Sequence, residues 1–168
     1  MGSDAESLPL GMEQLNFPSY NFDVRNADGS IVILDRVRQR FVPLTPEEWV
    51  RQHLIQYLIE DLDVPKGFIA LEASIPAHDR YYRADVVVYD RNMQPVLIAE
   101  CKKPSVKIKQ DVFDQIGHYN TVCKAPYLLV TNGLQHYCCR VDHKNRESRF
   151  MNDLPSYQKM ILSTINAA

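Results

Sequence analysis

The chain has 168 residues, the size of one ordinary domain with a hydrophobic core of its own. Hydrophobic residues make up 45% and charged residues 24%, which excludes a disordered chain, and no apolar run is long enough to span a bilayer. The formal net charge of −2 excludes a uniformly basic nucleic-acid-binding domain, so any basic surface has to be local.

The N-terminal stretch MGSDAESLPLG lacks a basic segment followed by an apolar one, so no secretory signal is expected. Residues 1–44 read as an N-terminal β arm. Ala27-Asp28-Gly29-Ser30 lies between apolar residues on both sides (Tyr20, Phe22 and Val24; Ile31, Ile33 and Val37), a hairpin signal, and Phe41 and Val42 close the arm against the body. A helix starts after Thr45 as N-cap, with Pro46 at its first position and Glu48 completing a capping box; Val50, Leu54, Tyr57 and Leu58 give it one apolar face. Three strands follow, Phe68 to Ile75, Tyr82 to Tyr89 and Pro95 to Glu100. The Val86-Val87-Val88 and Val96-Leu97-Ile98-Ala99 runs predict strands buried on both faces. A second helix is predicted over Lys109 to Cys123, then strands over Tyr127 to Val130 and Gln135 to Val141, joined by a turn at Asn132-Gly133. The rest reads as a polar, irregular tail packing on the core, with one short helix near Pro155 to Ile165. The expected divisions are therefore 1–44, 45–142 and 143–168.

The four cysteines, Cys101, Cys123, Cys138 and Cys139, form no CxxC pair and have no zinc-ligand spacing with the five histidines, so they read as reduced, structural thiols. Adjacent Cys138 and Cys139 point to opposite faces of a strand, so one of them at most is expected in the core.

The chemistry is concentrated in Arg83-Ala84-Asp85 and Glu100-Cys101-Lys102. Glu100 and Lys102, two apart on a strand, share a face, and a hairpin brings Asp85 near Glu100. Two neighbouring carboxylates repel each other unless a cation lies between them. Mg²⁺ takes few carboxylates and keeps several waters, leaving room for a phosphate oxygen. Such an ion polarises phosphate and acidifies bound water. Lys102 then orients or deprotonates that water, or stabilises charge on the phosphate, and the Cys101 carbonyl is a candidate third ligand. Three surface charges are the plainer alternative, but Glu100 ends a strongly apolar run, and a charge at that depth needs a partner or a metal. Lys102, Lys103, Lys107 and Lys109 form a basic run, extended by Lys124, that reads either as phosphate contacts or as a solvated loop. Arg51 either contacts a phosphate or pairs with Glu47 at i,i+4.

The order helix, three strands, helix, strand, with Asp85 and Glu100-Cys101-Lys102, resembles the PD-(D/E)xK nuclease superfamily. More closely, Thr45 to Val141 resembles the N-terminal nuclease domain of type I restriction enzyme R subunits, through Thr45-Pro46-Glu47-Glu48-Trp49-Val50-Arg51, Arg83-Ala84-Asp85-Val86-Val87, Ala99-Glu100-Cys101-Lys102-Lys103-Pro104 and Gln115-Ile116-Gly117-His118-Tyr119. Ala84 stands where the superfamily name has proline. The resemblance implies an α/β fold of restriction-endonuclease-like type, a central mixed sheet flanked by helices, with Mg²⁺ (or Mn²⁺) as cofactor, DNA as substrate and the cytoplasm as location. It assigns Asp85, Glu100, Lys102 and Gln115 to catalysis, and Asp85, Glu100, the Cys101 carbonyl and, as a further candidate, Glu48 to the metal. By the same resemblance Gln115 and Tyr119 face the scissile strand; core packing is the alternative for Tyr119. Lys103, Lys107, Lys109 and Arg51 complete the expected nucleic-acid contacts. The sequence carries no Gly-x-x-x-x-Gly-Lys-[Ser/Thr] loop and no room for the motor of R subunits, so a stand-alone nuclease domain is expected. The candidate partners are a second copy of the chain and a helicase or specificity subunit. The competing function is a non-cleaving DNA-binding or assembly module of a larger nuclease or helicase complex.

Overall fold

The computed structural model describes residues 8–165, so the ends of the expected arm and tail (1–7 and 166–168) lie outside the described residues. The arm is a three-stranded antiparallel sheet, β1 (Val24–Ala27), β2 (Ser30–Asp35) and β3 (Arg40–Pro43). Asp28 and Gly29 turn β1 into β2 with φ of 50° and 88°, the left-handed pair that a two-residue hairpin loop requires. The third strand was not expected. Its four residues pair with β2 from Val32–Pro43 to Asp35–Arg40, a register invisible to local alternation.

Helix α1 (Pro46–Glu60) begins as expected, with Thr45 Oγ1 accepting the Glu48 N–H at 3.1 Å. The return half of the capping box is not seen. The Glu48 carboxylate instead accepts from Gln52 Nε2 at 2.8 Å and pairs with Arg51. The reason is burial: the helix lies between arm and main sheet, and Glu48, Arg51, Gln52 and Gln56 are buried along with Val50, Leu54 and Leu58. A carboxylate held from water takes the strongest charged donor within reach. One apolar face was expected; the arm covers the polar face as well.

The main sheet has six strands in spatial order β4 (Ile69–Ala77), β5 (Arg80–Tyr89), β6 (Pro95–Cys101), β7 (Tyr127–Thr131), β8 (His136–Asp142) and β9 (Glu147–Met151). All neighbours are antiparallel except β6 and β7, which α2 (Gln110–Cys123) connects as a crossover. On one face Val86, Val88, Leu97, Ala99 and Leu129 pack with Leu54 and Leu58 of α1 and with Met160 of α3 (Tyr157–Ile165). On the other Val87, Ile98, Leu128 and Val130 pack with Ile116 of α2. The two valine- and isoleucine-rich runs are thus buried on both faces, as expected.

Two expectations are corrected. Cys138 and Cys139 do point to opposite faces, but both are buried, one in each cluster, because helices cover the sheet on both sides. Part of the polar tail is a strand, β9, paired with β8 from Cys138–Met151 to Asp142–Glu147. It is an edge strand whose residues are mostly exposed, so it shows no apolar alternation. All four cysteines are free thiols. Among the described residues, no helix is long and apolar enough to cross a membrane.

The part of the arm that precedes β1 is fastened at Gly133. This residue has φ of 85°, and a Cβ on it would lie 2.8 Å from Leu15 Cδ2 and 3.0 Å from Val50 Cγ2. The Asn16 N–H donates to the Gly133 carbonyl at 2.7 Å. Gly133→Ala therefore combines a left-handed backbone with a clash and is expected to destabilise by about 2 kcal/mol. Thermal unfolding should show this as a loss of about 4–8 °C; an unchanged midpoint would contradict the packing of Leu15.

Candidate active site

β5 and β6 are laddered through Val88–Leu97, Val87–Ile98 and Val86–Ala99. One step beyond, a side chain takes over from the ladder: Asp85 Oδ2 accepts the Cys101 N–H at 2.7 Å. The same place is irregular on the other side of β5. Pairing passes from Leu71–Val86 to Ala73–Ala84 with Glu72, at φ of 50°, between them. Leu71 and Val86 belong to the α1-side core, Ala73 and Ala84 to the α2-side core. The strands exchange faces at Glu72 and Asp85, so Tyr82, Ala84 and Val87 all pack on the α2 side. Irregularities of this kind re-aim side chains beside active sites.

Glu100 is the penultimate residue of β6, with its side chain 15% exposed. Its Oε2 accepts from the Tyr82 hydroxyl at 2.6 Å, and its Oε1 from Lys102 Nζ at 3.1 Å. Burial, and then the nearby negative charge of Asp85, raise the Glu100 pKa, while Tyr82 and Lys102 pull it down. For Lys102, burial works against the charge, but the hydrogen bond and charge of Glu100, with Asp85 and Glu47 adding, leave its pKa raised. The Tyr82 phenol is raised by burial, then by the charge and hydrogen bond of Glu100.

Asp85 Oδ1 accepts from Arg51 Nη2 at 3.1 Å. Arg51 is 8% exposed, and its other arm holds Glu48, with Glu47 at 3.6 Å as the i,i+4 partner. Burial opposes the Arg51 charge, yet Glu48 and Asp85 raise its pKa overall. Of the two readings of Arg51, a phosphate contact and a pair with Glu47, the structure shows the pair, with Glu48 and Asp85 as further acid partners. Glu48 is likewise committed to Arg51 and Gln52, whose Nε2 also lies 3.0 Å from Asp35 Oδ2 of the arm. A polar chain, Asp35–Gln52–Glu48–Arg51–Asp85, thus links the arm to the site.

The structure therefore brings Asp85, Glu100, Lys102 and the Cys101 backbone together. Gln115 is exposed on α2. Tyr119, one turn on, stacks on Tyr82 with centroids 3.7 Å apart and planes at 11°. Lys103, Lys107 and Lys109 are exposed in the connection from β6 to α2, and Lys124 caps that helix at φ of 60°. Sequence reasoning missed Tyr82. Strict alternation puts Tyr82 and Asp85 on opposite faces, and only the exchange at Asp85 unites them.

Among the described residues no three His, Cys, Asp or Glu side chains converge as a metal cage. The donors present fit a hard cation that keeps waters: two carboxylates close enough for one to raise the pKa of the other, and a backbone carbonyl. On an extended strand the N–H and C=O of one residue point to the same edge, so the Cys101 carbonyl is directed to the side on which its N–H meets Asp85.

A mixed sheet with helices on both faces gives the chain a restriction-endonuclease-like fold, and an acid pair with a lysine lies where the middle of β5 runs beside the end of β6. The family described as type I restriction enzyme R protein N terminus matches residues 46–155, and the chain belongs to it. Among solved structures, a fragment assigned as an HsdR subunit of a type I restriction enzyme from Vibrio vulnificus YJ016 superposes with a TM-score of 0.54 at 14% identity, over 74% of this chain and 26% of that one. A protein from Anabaena variabilis ATCC 29413 assigned as a DUF820 nuclease gives 0.48 at 12% identity, over 87% of this chain and 88% of that one. The chain thus spans about a quarter of the length of the Vibrio fragment, and at 14% identity that likeness speaks for the fold alone. No curated protein matches the chain.

Proposed function

We propose that the chain is a Mg²⁺-dependent nuclease that hydrolyses DNA phosphodiester bonds, acting as part of a restriction-type assembly. The observation that carries this reading is the pairing of two like-charged acids on adjacent strands, Asp85 in the middle of β5 and Glu100 near the end of β6, with Lys102 Nζ 3.1 Å from Glu100. Family membership supports it. One Asp85 oxygen, one Glu100 oxygen and the Cys101 carbonyl would hold the cation, with water filling its remaining positions. When bound, the ion polarises the phosphate and acidifies a water. Lys102 places positive charge beside Glu100, where it orients the attacking water or offsets charge on the phosphate. Gln115, exposed one turn before Tyr119, would meet a substrate strand lying along α2. Lys103, Lys107 and Lys109 add local positive charge that the net charge of the whole chain conceals.

The test is incubation with supercoiled, linear and branched DNA in Mg²⁺ or Mn²⁺, beside Lys102→Ala. Nicking or linearisation by the wild type that the variant lacks supports the reading. Chelation with EDTA is expected to stop cleavage and added Mn²⁺ to restore it; cleavage that persists in EDTA would contradict metal dependence. A second reading, a non-cleaving DNA-binding or assembly module beside a helicase, a specificity subunit or a second copy, has one observation in its favour. Every carboxylate oxygen of Asp85 and Glu100 already accepts a hydrogen bond from its own chain. DNA binding without cleavage in any metal would establish it.

A further inference from the structure

We infer that Tyr82 and Tyr119 are a positioning pair that fixes Glu100 as a one-oxygen ligand, an inference that rests on the reading of Glu100 as a metal-binding acid. A phenol hydroxyl lies on the long axis of its ring, so whatever fixes the ring fixes the hydroxyl. The Tyr82 ring is fixed from α2: Tyr119 lies flat on it at 3.7 Å. Its hydroxyl donates to Glu100 Oε2 at 2.6 Å, the length of a charge-assisted O–H···O⁻ bond. Phenylalanine would fill the same half-buried space, so the oxygen is explained by Glu100 and not by packing. Among the described residues the Tyr119 hydroxyl makes no hydrogen bond, so what Tyr119 contributes is its ring.

The consequence for Glu100 follows from its two oxygens. Oε2 is committed to Tyr82, and Oε1 is turned toward Lys102. With Oε2 so held, Oε1 is the oxygen offered to a cation, which would share it with the longer bond from Lys102. That suits the strict octahedral shell of Mg²⁺ and disfavours the two-oxygen grip common for Ca²⁺. Tyr119 therefore acts on the site through Tyr82, as a positioning residue with no contact of its own to the metal.

The experiment measures Mg²⁺ and Ca²⁺ affinity calorimetrically for wild type, Tyr82→Phe, Tyr119→Phe and Tyr119→Ala, each checked for an intact thermal transition. The same four proteins are labelled with carboxyl-¹³C glutamate, and the metal-free Glu100 resonance is identified with Glu100→Gln. Tyr82→Phe is expected to weaken Mg²⁺ binding about tenfold, the loss of one charged hydrogen bond, and to narrow the preference for Mg²⁺ over Ca²⁺. It should also move the Glu100 resonance. Tyr119→Ala should do the same and Tyr119→Phe, which keeps the stack, should not. A Glu100 resonance and Mg²⁺ affinity both unmoved by Tyr82→Phe would overturn the inference. So would equal effects of Tyr119→Phe and Tyr119→Ala. If the wild type binds neither ion but the resonance moves as stated, the positioning of Glu100 stands and the metal reading fails.

Discussion

Asp85→Asn is expected to lower the cleavage rate about a thousandfold or more while leaving a folded protein. Asparagine keeps the shape and one carbonyl oxygen, enough to accept the Cys101 N–H that Asp85 Oδ2 now accepts at 2.7 Å. Arg51 loses its bond to Asp85 but retains Glu48 and Glu47. The stability cost is therefore that of about one hydrogen bond, roughly 1–2 kcal/mol. What disappears is the negative charge opposite Glu100, and with it the demand for a cation between the two carboxylates. Single-turnover cleavage of a labelled duplex, beside a thermal melt, separates the two effects. A variant that keeps a tenth of the wild-type rate would remove Asp85 from the site.

The largest stability effect is expected at Arg51. Arg51→Ala leaves Glu48, itself 7% exposed, with Gln52 and with Arg38, whose Nη1 lies 3.8 Å away. Removing one partner from a buried ion pair typically costs about 3–5 kcal/mol. Lysine is not expected to rescue the loss, because Nη1 meets Glu48 while Nη2 meets Asp85, and a single ammonium cannot reproduce that fork. Urea unfolding of wild type, Arg51→Ala and Arg51→Lys measures this. A loss below about 1 kcal/mol for alanine would place these groups in the solvated regime of surface pairs. Because Arg51 also orients Asp85, the alanine variant should lose cleavage as well as stability.

The parts of this molecule legible in the sequence are those encoded by neighbours along the chain. Asp28-Gly29 announces its hairpin, and Thr45-Pro46 its helix start. Val86 to Val88 and Val96 to Ala99 announce strands covered on both sides. The acid pair and Lys102 are legible because Glu100 and Lys102 are two residues apart where β6 ends, and apolar runs adjoin both Asp85 and Glu100. What was not legible depends on residues far apart. β3 and β9 are short and gain their definition from partner strands. The polar layer from Asp35 through Gln52, Glu48 and Arg51 joins the arm, α1 and β5, and no local spacing reveals it. The hidden role of Tyr82 has a single cause, the exchange of faces at Glu72 and Asp85, which breaks the alternation that a strand reading assumes.

The central claim is that Asp85, Glu100 and the Cys101 carbonyl hold one divalent cation. Crystals soaked in Mn²⁺ and measured at its absorption edge test that directly. The account predicts one anomalous peak between the two carboxylates, within coordination distance of the Cys101 carbonyl, absent from Asp85→Asn crystals. A map with no peak there at saturating Mn²⁺, or with a peak that Asp85→Asn leaves in place, would contradict it.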